Sequence, residues 1–108
     1  MDLKIDIKAA AAWIDLDLEE TRTAMKYFSV EAFECIHICH ILAKNIKYPE
    51  LIKALNGLAG TAAMLHLEQI NRYALKIAEG AREAKPNVVD NILPLLEGSI
   101  EELRIAAY

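Results

Sequence analysis

The densest run of reactive side chains in the 108-residue sequence is Cys35-Ile-His37-Ile-Cys39-His40, two thiols and two imidazoles in six positions. Such residues hold zinc or haem when they converge on one point. On a helix these four do not converge. At about 100° per residue, Cys35 and Cys39 lie about 40° apart, while His37 stands about 200° and His40 about 140° from Cys35. Covalent haem attachment uses Cys-x-x-Cys-His, whereas three residues separate the cysteines here. The run therefore reads as two small buried thiols beside two surface histidines, with no metal or cofactor assigned. A two-ligand site completed by another helix or subunit stands as the alternative.

The carboxylates are equally dispersed. Asp15, Asp17, Glu19 and Glu20 are adjacent in sequence and splay around a helix as a solvated face. Glu34-Cys-Ile-His37 has the Glu-x-x-His spacing once, and di-iron bundles need it from two helices. With no glycine-rich phosphate loop and no Ser/His/Asp set, the chain is not expected to be an enzyme.

The third run, Lys53-Ala-Leu-Asn-Gly-Leu-Ala-Gly-Thr61, is the most informative. Two glycines three apart in a helix cost about 1 kcal/mol each relative to alanine, which calls for a close approach by something. Lys53, Asn56, Gly57, Gly60, Thr61 and Met64 recur at steps of three and four along one face and leave a shallow notch. The occupant is either a neighbouring helix or a partner protein.

These runs have to be carried by helices. Apolar positions Ile5, Ala9, Ala12, Trp13 and Leu16 recur at helical spacing and place helix one over residues 5–28, with a bend near Leu16 where Asp17 and Glu20 form a capping pair. Leu3, Ile5 and Ile7 alternate as a strand would, but the alanines that follow favour helix. Ser29 is the expected N-cap of helix two, residues 29–46. Its polar stripe of Glu34, His37, His40, Lys44 and Lys47 is narrow, so it is expected to be buried on most of its circumference. Pro49 opens helix three, which ends near Met64. Helix four covers residues 67–84, and Asn87 caps helix five, where Pro94 predicts a kink or a late start. The fold class is all-α: one domain over residues 1–108, an up-down antiparallel bundle with a four-helix core and about five helices in total.

Composition narrows the partners. A net charge of −4 with no Lys/Arg-rich run argues against nucleic acid and against polybasic membrane attachment. The longest uncharged stretch, residues 54–67, falls short of the roughly 20 residues a membrane span needs. An acid at position 2 and no apolar run before Asp6 predict no signal peptide, and the cysteines read as reduced thiols of a cytoplasmic protein.

Leu55-Asn56-Gly57-Leu58-Ala59-Gly60, followed by Met64-Leu65, resembles the His-x-Leu-Lys-Gly-x-Ala-Gly motif of histidine phosphotransfer domains, including the one that opens chemotaxis histidine kinases. That motif lies on the second helix of a four-helix bundle. Helix four is similar to the family's third helix, and helix five, with Val88-Val89-Asp90 and Ile92-Leu93, to its fourth, so the resemblance covers residues 49–103. It implies a signalling module whose partner is a response-regulator receiver domain or a histidine kinase, bound at Lys53, Asn56, Gly57, Gly60, Thr61 and Met64. Two departures stand out: Lys53 occupies the phosphohistidine position, and Asn56 replaces the family's lysine. A primary amine protonated near neutral pH is not the phosphoryl acceptor an imidazole is. The resemblance therefore implies a degenerate domain that keeps docking without the chemistry. In a second register His40-Ile41-Leu42 supplies the His-x-Leu, making His40, or its neighbour His37, the acceptor, although Lys44 then stands at the glycine position. A structural or metal-binding bundle, homo-oligomeric or not, is the remaining alternative. His66 reads as an exposed loop residue.

Overall fold

The computed structural model describes residues 5–108, so Leu3 of the alternating start lies outside the described residues. Five helices follow one another: α1 (Ile7–Ile14), α2 (Leu18–Lys44), α3 (Tyr48–Met64), α4 (Glu68–Arg82) and α5 (Pro86–Ala107). No strand occurs among the described residues.

The start differs from the single helix expected over residues 5–28. Asp6 caps α1 by accepting from the Ala9 amide at 3.1 Å. The chain then turns through Asp15, whose φ of 57° is left-handed. Asp17 caps α2, accepting from the Glu20 amide at 2.7 Å. The capping pair thus marks a break rather than a bend, and Ser29 does not start a helix. Ser29 is buried inside α2, and its hydroxyl satisfies itself on the Lys26 carbonyl of the preceding turn.

The remaining boundaries lie near their expected places. Pro49 and Pro86 sit in the first turns of α3 and α5, where a missing amide costs nothing. Lys85, not Asn87, holds the N-cap position of α5. Pro94 neither delays nor interrupts that helix. It is exposed, as is Asp90, the residue whose carbonyl it deprives of a donor.

α2, α3, α4 and α5 pack in sequence around the bundle, and α5 closes it against α2. Opposed numbering fixes the antiparallel sense of that closure: His40 meets Glu97 at 2.8 Å, and Arg22 donates to the Ala106 carbonyl at 3.3 Å. α3 and α4 are stitched by Asn71, whose amide donates to the Ala59 carbonyl at 2.9 Å. Met25, Ile36, Leu51, Leu55, Ile70, Ile77, Leu96 and Ile100 fill one continuous core. The short α1 packs on α2 and reaches the α3–α4 turn, where Trp13 stacks on His66 at 5.1 Å.

α2 is less enclosed than its apolar content suggested. Tyr27, Val30, Phe33, Ile38 and Ile41 are all exposed, because the bundle covers only the side carrying Met25, Phe28, Ala32, Ile36 and Cys39.

Candidate docking face and thiol pair

α3 buries Leu51, Leu55, Leu58, Ala59 and Ala62 and turns its other side to solvent. Lys53, Asn56, Gly57, Gly60, Thr61 and Met64 all lie on that open side. A Cβ built on Gly57 or Gly60 would meet nothing within 4 Å. None of the described helices therefore occupies the notch, and close packing among the described residues does not account for the glycines. Thr61 folds its hydroxyl back onto the Gly57 carbonyl at 3.3 Å. The face is thus low and weakly polar along its middle, with Lys53 near one end and Met64, 71% exposed, at the other.

The glycine that does serve packing is Gly80 on α4. A Cβ there would stand 2.6 Å from Val88 Cγ1 and 2.9 Å from Val88 Cβ, so its bareness lets the start of α5 lie against α4. Gly80 stands alone in its helix, and nothing in the sequence around it discloses the close approach it permits.

The histidines are dispersed. His40 is half-buried on the α5 side of α2, its Nε2 hydrogen-bonded to Glu97. A groove of about 780 Å³ lies beside it, lined among others by Lys44, Ile46, Tyr48 and Asp90. His37 is exposed and packs edge-on against Phe33 at 4.8 Å. His66 is not an exposed loop residue: it is partly covered, sits under Trp13, and lies 3.9 Å from Glu68. Among the described residues no group of three or more His, Cys, Asp or Glu side chains is placed to hold a metal ion.

The cysteines form a closer unit than inert thiols would. Cys35 and Cys39 Sγ are 4.0 Å apart, and Cys35 Sγ also lies 3.9 Å from the Ala54 carbonyl of α3. A hydrogen bond from the Cys39 thiol favours the Cys35 thiolate and brings Cys35 down to about 7, against the opposing effect of burial. The same bond, then burial, then the charge of Cys35, pushes Cys39 upward. The four-residue spacing was the available signal, since it puts two side chains one turn apart on one face.

Compared with protein-family models, curated proteins and solved structures, the chain matches none.

Proposed function

We propose that the chain is a non-catalytic protein-docking module of the histidine phosphotransfer type, acting in the cytoplasm of a bacterial two-component or chemotaxis-like system. Its partner is a response-regulator receiver domain or a histidine kinase, and its contact surface is the 53–64 face of α3. One observation carries this reading: Gly57 and Gly60 cost helix stability, yet the space above them is empty. A bare helix edge of that kind admits a partner's backbone closely. Lys53, at the position of the family's phosphohistidine, offers the partner a cation in place of a nucleophile.

The test is titration of the purified chain with receiver domains and kinases in a calorimeter. Binding that Gly57→Arg abolishes without loss of helicity supports the reading. Binding indifferent to Gly57→Arg, Lys53→Glu and Gly60→Arg overturns it.

A second reading, active phosphotransfer, has one observation in its favour. Glu97 engages His40 Nε2 and leaves Nδ1 as a potential acceptor atom. Acid-labile phosphate on the chain, lost in His40→Gln and kept in His37→Gln, would favour it over the non-catalytic one.

A further inference from the structure

The 53–64 face leaves the other open surface, on α2, without a role. Tyr27, Val30, Glu34, His37, Ile41 and Lys44 follow one another at alternating steps of three and four, the spacing of a coiled-coil seam. All six are exposed, Tyr27 at 72% and Ile41 at 61%, and Phe33 and Ile38 flank them. The seam spans about 26 Å at the rise of an α-helix. Its apolar members Tyr27, Val30 and Ile41, with Phe33 and Ile38 beside them, make a row of exposed large hydrophobic residues along one helix.

Charge identifies what covers it. The N-terminal part of the open face carries Glu20, Glu31 and Glu34, and the C-terminal part carries His37 and Lys44. Two cations depart from this order, and both are drawn to the end of α5: Lys26 lies over the Tyr108 ring, 5.3 Å from its centroid, and Arg22 donates to the Ala106 carbonyl. A helix acidic at one end and basic at the other is complementary to itself only when reversed. Parallel pairing would set Glu34 on Glu34 and Lys44 on Lys44.

We infer that α2 is a homodimer interface in which two copies pair antiparallel about a two-fold axis. In antiparallel seams the first and fourth heptad positions face one another, and of the registers this allows, the one that sets the two aliphatic residues together fixes the rest. Val30 then meets Ile41 of the second copy, Glu34 meets its His37, and Tyr27 meets its Lys44, the last a cation over an aromatic ring. Each pairing occurs twice, as two-fold symmetry requires. The α3 face lies on a different helix and stays open in the dimer.

Sedimentation equilibrium of the full chain tests this. A mass of twice 12.1 kDa is expected at about 100 µM, a concentration that detects even weak self-association. Ile41→Asp is expected to give the monomer mass with unchanged helicity, since the residue is exposed. Glu34→Lys and His37→Glu should each weaken the dimer about tenfold, and the double variant should recover the original affinity. Three results overturn the inference: a wild-type monomer at that concentration, a dimer indifferent to Ile41→Asp, or a double variant weaker than both singles. Loss of the dimer in Gly57→Arg with its retention in Ile41→Asp would likewise overturn it, by moving the contact to α3.

Discussion

At the scale of single residues, position within the bundle separates chemically identical side chains. Cys35 and Cys39 lie one turn apart on the same helix, but Cys35 reaches the α2–α3 seam while Cys39 is fully buried. Below about 7 Cys35 is a thiol, and above it a thiolate. Its rate of alkylation by iodoacetamide should therefore rise through a midpoint near 7 and level off well before an ordinary thiol does. Cys39→Ala removes the stabilising donor, so the midpoint should move up; an unmoved midpoint would assign the effect elsewhere. Peptide mapping should find Cys39 unmodified until the chain unfolds. The glycines divide in the same way. Gly80→Ala forces a methyl group into Val88 and should cost about 1–3 kcal/mol by chemical denaturation. Sequence could register that each glycine is costly in a helix, but only the neighbouring helix reveals which of them is being used.

At the scale of elements, the helix ends are set by capping chemistry that the sequence displays unevenly. Asp6 and Asp17 are visible caps, and both function as such. The Glu20 amide holds the Asp17 carboxyl below its ordinary value. A depressed carboxylate adds stability above its unfolded value of about 3.9 and loses it as pH falls through the folded value. Asp17→Asn keeps a capping oxygen without the titration. Its melting temperature should thus fall less than that of the wild type between pH 5 and pH 2, roughly the range in which carboxylates protonate. The helix stops were harder to read, because no glycine marks them. Asp15, Ile46, His66 and Ala84 all take the left-handed conformation, with φ between 53° and 60°. The following amide bonds back five residues each time, from Leu16 to Ala11, Lys47 to Leu42, Leu67 to Ala62 and Lys85 to Gly80. The misplaced boundary at Ser29 has the same origin: Asp15 ends α1 without announcing it. Ile46 is the most strained of the four, being β-branched and exposed. Ile46→Gly should raise stability by about 1 kcal/mol in urea titration, and a loss of stability would mean that its side chain packs more than its exposure indicates.

At the scale of the whole molecule, the bundle was legible because apolar spacing and short connections leave few ways to bury five amphipathic helices. The exposure of α2 was not, since its sequence is apolar on more sides than the bundle can cover. The 53–64 face shows what remains when packing is subtracted. Gly57 and Gly60 lie where alanine would fit freely and lower the entropic cost of the helix. Gly57→Ala with Gly60→Ala should therefore stabilise the chain by up to about 2 kcal/mol, raising the melting temperature by roughly 4–8 °C per kcal/mol. On the docking reading, the same pair of methyl groups stands where a partner's backbone must approach, so affinity should fall as stability rises. Opposite movement of the two quantities is what a surface kept bare for contact requires. Stability and affinity rising together would mean the partner does not touch the glycines, and unchanged stability would mean the helix is already frayed there in solution.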